Sequence, residues 1–545
     1  MGSPARFRKA ATVVVAIALV APACGSDPGT TADGPQDAAS LTVAIPRDLG
    51  PINIFAGATD QLAGLVYDKL FAPSPYVDEP QPWLATEVRG IDPTTWEVDI
   101  REDVTWHDGE PFTTEDVAYS FDYMHQAPTG RFTHHVNNTP DITSVEVVSD
   151  RTVRFTCSYA CPSLAAVTLA DLPIVPQHIW SEIPADQAKT HAGLPIGTGP
   201  FQLVDYSPTT GYRFEANDDY FAGEPVVDEL VMPVITDQSA TFTALRTGEI
   251  DSTTRPLPPE LAEQFTADPA LGVVKTAPLQ FPEIRMNYER APFDIPEFRR
   301  ALSRAVDKEQ MLEVVALDRG RAATKGYPHP DAPFANPANS TPYDLDEANT
   351  LLDELGFSDT DGDGIRESAD GPLEFTVLVD GALPQDVRAA EIVAEDFAAI
   401  GVRVTPQGID AGSITELFRS REFDLYINTI TAHGVADPDQ FIMSHRSGYL
   451  WKAPDLPYPE WDAIYERWRA ADTHDDRLAV MGEMQELFNR QPTSIPLYYP
   501  DESWAYRADT FNGWAESPGY GIIHKWSFLP ASVADGANAV VRTGR

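Results

Sequence analysis

Basic residues are scarce in this sequence. Lysine and arginine number 39 against 83 aspartates and glutamates, which gives a formal net charge of −44 at pH 7. A surface this acidic repels phosphate backbones and anionic lipid headgroups, so the composition counts against nucleic-acid binding. At 545 residues with 43% apolar content, the chain is long enough for two or three domains with well-filled cores.

The local signatures of common hydrolases are also missing. The sequence contains no GxSxG, no HExxH and no papain-like cysteine motif. Gly197-Thr198-Gly199-Pro200 is not a phosphate loop, because it lacks GxxxxGK[ST] and no helical pattern follows it. We therefore predict that the protein is not an enzyme, and a secreted hydrolase is the weaker alternative.

An apolar run at the N-terminus has the form of an export signal. A basic segment precedes Ala10 to Val20, which is too short to span a bilayer as a permanent helix. Small residues then lead to Cys24, in an arrangement similar to a bacterial lipobox. We predict that residues 1–23 are removed and that a lipid on Cys24 anchors the protein to the cell membrane, outside the cytoplasm. Simple cleavage after Ala23 is the alternative.

Besides Cys24, the sequence contains two cysteines, Cys157 and Cys161. In an exported chain, two cysteines this close in sequence predict a disulfide. So short a loop should stabilise the fold little. A zinc site is the weaker alternative, because two thiols without nearby partners leave Zn²⁺ undercoordinated.

The segment from Thr95 to Met124 contains the densest local signals, TWEVDIREDVTWHDGEPFTTEDVAYSFDYM. Apolar and polar residues alternate over Trp96 to Ile100 and again over Val104 to Trp106, which predicts two short half-buried strands. Thr113 and Asp116 form a variant of the capping box, and apolar residues then recur at helical spacing. The segment is predicted to form two strands, a tight turn and a helix.

Together with Trp83-Leu84-Ala85, this segment resembles the signature region of the extracellular solute-binding proteins of family 5, the peptide and nickel receptors of ABC importers. Further matches follow in the same order as in that family, at Gly197 to Phe201, at Asn287 to Val306 and at Asp437-Pro438 to Phe441. The resemblance runs from about residue 41 to about residue 514, which is nearly the whole chain after the signal.

The resemblance implies an α/β fold with two lobes of the periplasmic-binding-protein type and an extra inserted domain. A flexible tether at 24–40 is predicted from its Gly, Pro, Asp and Ser content. The implied domains are a discontinuous lobe I at 41–78, 205–277 and 500–545, an inserted domain II at 79–204, and an α/β lobe II at 278–499. Within lobe II, a strand at Phe375, an amphipathic helix from Asp386 to Ile400 and a strand at Val402 predict a βαβ unit with parallel strands.

The resemblance also implies where a ligand binds. One side of the cleft corresponds to a loop of small residues that would let a ligand approach backbone N–H groups, and an ordinary glycine turn is the alternative. The other side corresponds to a loop that follows a predicted strand, where open α/β lobes bind ligands. The predicted ligand-binding residues are Gly57, Ala58, Thr59, Asn287, Thr431, His433, Gly434 and Asp437.

The sequence departs from the peptide receptors of this family at one position. In those receptors, an Asp three residues before an acidic-Pro pair holds the peptide amine, and a Trp lies three residues further back. Aligned on Asp437-Pro438, these positions fall on Gly434 and Thr431. The amine-holding acid is therefore missing unless Asp437 takes its role, which weighs against a conventional free-amine oligopeptide.

An acidic loop fits the pattern of an EF-hand. Carboxylates stand at positions 1, 3, 5 and 12, which are Asp359, Asp361, Asp363 and Asp370, with glycine at position 6. Arg366 replaces the usual apolar residue, and no helical pattern follows. The sequence therefore leaves two alternatives open, a structural Ca²⁺ site and an Asp/Gly hairpin turn without metal.

These observations lead to one hypothesis and two alternatives. The protein is predicted to be the monomeric receptor of an ABC importer, which closes two hinged lobes over a small solute, most simply a peptide, and delivers it to permease subunits in the membrane. No cofactor is predicted, and a structural Ca²⁺ at the acidic loop is the one metal site that the sequence leaves open. A receptor for a nickel chelate or another non-peptide solute is one alternative, and a surface sensor on the same fold is the other.

Overall fold

The computed structural model describes residues 38–530 except for 57–59, 75–76, 129–131, 133–141, 163, 166–167, 277–279, 333, 370, 431–441, 443–444, 448–457, 472 and 516–520. The strands are β1 Ala38–Ala44, β2 Phe71–Ser74, β3 Val77–Pro82, β4 Ala85–Asp92, β5 Thr95–Ile100, β6 Ile142–Ser149, β7 Thr152–Cys157, β8 Phe201–Ser207, β9 Gly211–Ala216, β10 Val227–Met232, β11 Ser252–Thr253, β12 Leu271–Thr276, β13 Phe281–Met286, β14 Gly320–Ala322, β15 Glu367–Ser368, β16 Gly371–Pro372, β17 Glu374–Asp380, β18 Arg403–Ile409, β19 Leu425–Ile430, β20 Ser494–Pro496, β21 Tyr498–Pro500 and β22 Glu502–Arg507.

The helices are α1 Asp60–Val66, α2 Thr114–Gln126, α3 Thr168–Asp171, α4 Gln177–Trp180, α5 Gln238–Thr247, α6 Pro259–Ala267, α7 Pro296–Ala305, α8 Lys308–Val315, α9 Leu345–Glu354, α10 Pro384–Ala398, α11 Ala411–Ser420, α12 Pro459–Ala470 and α13 His474–Arg490. Short 3₁₀ helices lie at Ala185–Thr190 and Lys525–Ser527. Across the described part of the chain, no helix combines the length and apolarity that crossing a bilayer requires.

A seven-stranded sheet is assembled from distant parts of the chain. Its strand order is β12-β22-β11-β1-β10-β9-β8, and β1 runs parallel to both β10 and β11. We call this sheet with its helices the first lobe. The implied boundary between residues 204 and 205 falls inside β8, which pairs with β9 on both sides of that point. The domain limits derived from the resemblance stay a prediction.

A five-stranded sheet, with the order β18-β17-β19-β13-β20, forms the centre of the second lobe. Its strands β17 and β18 are parallel and are joined by α10, so the predicted βαβ unit is confirmed. Pro384 begins α10, and buried alanine, isoleucine, valine and phenylalanine side chains on one face of the helix enter the core above the sheet. Burial of this face stabilises the helix against the sheet.

A four-stranded antiparallel sheet, with the order β4-β5-β7-β6, packs with α2. The predicted capping box is confirmed, because Thr113 and Asp116 each accept a hydrogen bond from the backbone N–H of the other. The predicted strand at Val104 to Trp106 is wrong. Both side chains are buried, but the Trp106 N–H donates to Glu110 O at 2.8 Å, so the chain reverses at once and leaves no room for a ladder.

One buried carboxylate joins two of the motifs that carry the family resemblance. Asp68 is fully buried and accepts hydrogen bonds from Trp83 Nε1 at 2.8 Å, Thr198 Oγ1 at 3.1 Å and Tyr220 OH at 3.0 Å. Lys525 Nζ lies 2.5 Å from the same carboxylate and forms an ion pair with it. The motifs therefore meet at a charge that four partners compensate, as burial of a carboxylate requires.

The two glycines of the Gly197-Thr198-Gly199-Pro200 motif permit a close backbone contact with the end of α1. A Cβ on Gly197 would lie 1.9 Å from Val66 O, and one on Gly199 would lie 2.5 Å from Leu65 O. Only glycine allows this approach. Strand β8 begins directly after the motif, at Phe201, in agreement with the absence of a helical pattern there.

Cys157 and Cys161 are joined by a disulfide, with their Cα atoms 6.5 Å apart. Both residues are buried, and Cys157 is the last residue of β7. The bond closes a short connection beside the four-stranded sheet.

Candidate ligand-binding site

Most of the predicted ligand-binding residues lie outside the described residues. This holds for one loop of the predicted cleft, with Gly57, Ala58 and Thr59, and for the other, with Thr431, His433, Gly434 and Asp437. Their roles stay predictions. The structure does show where the second loop begins, at Ile430, the last residue of β19.

An aromatic cluster adjoins this point. It consists of Phe281, Tyr327, His329 and Tyr499, and Ile430 packs against it. The ring centroid of Phe281 lies 5.6 Å from that of Tyr327 and 5.3 Å from that of Tyr499. The His329 ring lies 4.8 Å from the Tyr499 ring. Edge-on contacts of this kind hold each ring in a defined orientation.

The polar atoms of this cluster are neutral. Burial lowers the pKa of His329 to about 4, so the imidazole carries no charge at neutral pH. The hydroxyl of Tyr499 donates a hydrogen bond to Gly326 O. Burial raises the pKa of Tyr327, which therefore also stays uncharged. The cluster is suited to apolar or peptide-like groups, which gain by contact with aromatic faces.

A buried ion pair adjoins the aromatic cluster. Glu283 is fully buried on β13, where its carboxylate pairs with Arg285 and accepts a hydrogen bond from Ser494. The same carboxylate is close enough to Tyr327 to affect its pKa. The pair places one charge of each sign beside an apolar surface, which is the arrangement that orients a ligand with charged ends.

Sequence reasoning missed the aromatic cluster and the ion pair. Phe281, Glu283 and Arg285 stand on the same side of β13 at intervals of two residues, and the two charged residues alternate with the apolar Ile284 and Met286. That alternation was a readable signal. The sequence carries no comparable signal for Tyr499 or for the loop at residues 326–329, because only the fold brings these residues to β13.

The predicted ligand residue Asn287 has a structural environment. Its side-chain amide donates to Arg421 O at 3.0 Å and to Phe423 O at 2.8 Å, and its carbonyl accepts from the Glu289 N–H at 3.1 Å. These backbone partners favour a role in joining the end of β13 to the start of β19. A contact with ligand stays a prediction.

The acidic loop has a geometry that suits a calcium ion. Asp359, Asp361, Asp363 and Glu367 each place a carboxylate oxygen within 4.8 Å of the others. Gly362 and Gly364 donate their backbone N–H groups to Asp359, which curls the loop around its carboxylates. Oxygen donors of this number and charge are those that Ca²⁺ prefers. Asp370 lies outside the described residues, and β15 follows the loop where an EF-hand has a helix.

Comparison with known proteins covers most of the chain. The family model "Bacterial extracellular solute-binding proteins, family 5 Middle" matches residues 79–452. Di/tripeptide-binding protein 2 of Pseudomonas aeruginosa is 28% identical over 495 residues, which cover 86% of this chain and 90% of that protein.

Solved structures share the fold. The oligopeptide-binding protein AppA from Bacillus subtilis, in complex with a nonapeptide, superposes with a TM-score of 0.79 at 22% identity and covers 91% of this chain and 100% of its own. NikZ from Campylobacter jejuni, in complex with Ni(L-His), gives a TM-score of 0.77 at 23% identity over 89% of this chain and 98% of its own. The two-lobed periplasmic-binding-protein fold implied by the sequence is confirmed. The chain belongs to the bacterial extracellular solute-binding proteins of family 5.

Proposed function

We propose that this protein is the receptor of an ABC importer that captures a peptide or peptide-like solute between its two lobes and delivers it to permease subunits in the membrane. The observation that carries the proposal is the similarity to a di/tripeptide-binding protein along 86% of the chain. Closure of the lobes over the solute would supply affinity and would also signal occupancy to the permease.

The chemistry beside the predicted cleft supports a peptide. The aromatic cluster offers uncharged surface for side chains and peptide planes. Its member Tyr327 lies near the Glu283–Arg285 pair. A peptide carries an ammonium and a carboxylate at its ends, so it can match one charge of each sign. Glu283 is a second candidate, besides Asp437, for the acid that the family alignment lacks.

A nickel chelate is the second candidate ligand. Its support is the likeness to NikZ, which was solved with Ni(L-His). Histidine coordinated to nickel still presents amino-acid groups, so the same aromatic and charged surfaces would suit it. A surface sensor on this fold is the third alternative.

Native mass spectrometry of the protein purified from its own host tests the ligand class. The native and denatured masses are compared, and the small molecules released on denaturation are identified. A co-purified series of peptides is the expected result. Nickel with histidine, or one non-peptide compound, would replace the peptide proposal. A protein that is empty and shows no thermal shift with peptide libraries would favour the sensor.

Membrane anchoring through Cys24 is part of the same proposal, and Cys24 lies outside the described residues. Labelling cells with a clickable palmitate analogue should mark the wild-type protein and leave Cys24→Ala unmarked. A matched variant, Ser26→Ala, keeps the thiol and should be labelled as the wild type. An unlabelled wild type that begins at Cys24 would establish cleavage after Ala23 without a lipid.

A further inference from the structure

An open crevice of about 240 Å³ lies where the chain crosses between the two lobes, and we call it the hinge crevice. Among the described strands, the chain passes between the two large sheets from β12 to β13 and, by way of β21, from β20 to β22. The crevice lies beside the second crossing. Its walls come from both lobes and from the crossing itself, with Arg255 and Leu257 on the first lobe, Val315 and Arg319 on the second, and Asp501 and Glu502 between them.

The hinge crevice is distinct from the aromatic cluster. Tyr498 and Val315 line the crevice and belong to the core that α7 to α10 form on one side of the five-stranded sheet. Tyr499, the next residue in the chain, belongs to the aromatic cluster on the other side. Because successive side chains of an extended segment point in opposite directions, the crevice and the aromatic cluster lie on opposite sides of this crossing.

One wall of the hinge crevice is rich in positive charge and hydrogen-bond donors. Arg255 bonds Thr236 O through Nη2 at 2.5 Å, whereas its Nε is buried and has no partner. Within the described part of the chain, the Arg319 side chain forms no ion pair. Helices α5, α6 and α10 all begin at this wall, and the residues that precede α6 and α10, Pro258 and Leu383, give no side-chain cap. Such donors suit a carboxylate.

A second part of the lining carries acids on the crossing between the lobes, where the Asp501 N–H donates to Arg319 O at 3.2 Å. Asp501 is exposed, and its side chain has no ion pair among the described residues. Glu502 Oε1 accepts a hydrogen bond from Gln280 Nε2 at 2.6 Å, which links the two crossings. Burial raises the pKa of Glu502 to about 7. These carboxylates suit an ammonium group.

We propose that the hinge crevice is a second small-molecule site that binds a free α-amino acid, with its carboxylate toward Arg255 and Arg319 and its ammonium toward Asp501 and Glu502. A compound with a single charge would leave one wall of the crevice uncompensated, and burial of an uncompensated charge is costly. Besides Gln238 and Gln385, the remaining lining is mostly apolar and includes Leu257, Val315 and Leu383, so an aliphatic side chain fits best. The inference does not depend on the identity of the cleft ligand.

Occupancy of this site would be coupled to lobe closure. The amino acid would contact both lobes across the hinge, so its affinity depends on their relative orientation. By linkage, the bound amino acid changes the affinity of the cleft ligand by a certain factor, and the cleft ligand changes the affinity of the amino acid by the same factor. The site would thereby let free amino acids adjust the capture of the transported solute.

Isothermal titration of the protein purified from its own host, with L-leucine as the probe, tests the proposal. L-leucine methyl ester lacks the carboxylate, and 4-methylpentanoate lacks the ammonium. We expect L-leucine to bind and both analogues to bind at least about tenfold more weakly. Equal binding of either analogue would overturn the zwitterion assignment, and no binding of L-leucine up to about 10 mM would overturn the site.

Three variants locate the binding. Arg319→Gln and Asp501→Asn should each weaken L-leucine binding at least about tenfold. Arg388→Gln is the control, since Arg388 is an exposed residue of α10 that pairs with Glu391 and does not line the crevice. Binding retained in both crevice variants would place L-leucine in the main cleft and overturn the proposal. Circular dichroism of each variant checks that the fold is kept.

Discussion

Asp68 shows how a single side chain can stabilise a discontinuous lobe. Its donors come from the loop before β4, the motif before β8, the loop after β9 and the C-terminal segment at Lys525. Burial lowers the pKa of Lys525, and the Asp68 carboxylate opposes that effect. The pair is therefore mutually dependent, because each charge is buried and relies on the other.

Asp68→Ala should destabilise the protein by about 3–5 kcal/mol, because it leaves the Lys525 ammonium buried without its partner. Asp68→Asn should have a smaller effect, since an amide oxygen can still accept hydrogen bonds. The measurement is the urea unfolding midpoint. Glu391→Ala, at an exposed pair with Arg388, is the control and should change stability by less than about 0.5 kcal/mol. A loss below about 1 kcal/mol for Asp68→Ala would contradict the argument.

At the scale of elements, the acidic loop between α9 and β15 is the clearest local unit. Its exposed aspartates already accept hydrogen bonds from the loop backbone, as Asp359 does from Gly362 and Gly364. Such bonds form in a metal-free hairpin turn as well as in a calcium loop. We keep Ca²⁺ as a proposal, since four carboxylates held this close repel one another and a divalent cation would relieve the repulsion.

Millimolar Ca²⁺ should raise the thermal unfolding temperature relative to the same protein in EGTA. At a Ca²⁺ concentration one hundred times the Kd, the free energy of unfolding should increase by about 2.7 kcal/mol. Asp359→Asn should abolish the response. Glu354→Gln removes an exposed carboxylate of α9 and should respond as the wild type does. Identical melting in Ca²⁺ and in EGTA would identify the loop as a hairpin turn.

At the scale of the whole molecule, the hinge is chemically more than a flexible connection. Gln280 and Glu502 join its two crossings by a hydrogen bond. Burial raises the pKa of Glu502 from an ordinary value of 4.5 to about 7. Between these pH values the folded protein holds a proton that the unfolded chain has lost, so the contribution of Glu502 to stability falls as pH rises from 4.5 to about 7.

Glu502→Gln should abolish this loss of stability with rising pH. The variant keeps a polar partner for Gln280 and never ionises, so we expect it to be more stable than the wild type by about 1–2 kcal/mol at pH 8, with the difference vanishing near pH 4. Urea unfolding of both proteins at several pH values measures the difference. Glu263→Gln, at an exposed position on α6, should show the wild-type pH dependence. A difference that does not vary with pH would exclude titration of Glu502 as its cause.

The sequence by itself determined the elements whose signals are local. The capping box before α2 and the parallel pair around α10 both depend on residues within one helix or one βαβ unit. The family also followed from the sequence, because its motifs are contiguous. The one strand predicted wrongly, at Val104 to Trp106, has the right burial pattern, and hydrogen bonding to the returning chain decided against it.

The tertiary structure alone decided which distant residues meet. The aromatic cluster combines β13, the loop at residues 326–329 and Tyr499, and the hinge crevice combines five separate segments of the chain. Asn287 was predicted as a ligand residue from its motif, but its backbone partners at Arg421 and Phe423 became visible only in the fold. Periodicity and motifs report interactions between near neighbours in sequence, whereas these sites depend on side chains that two lobes bring together.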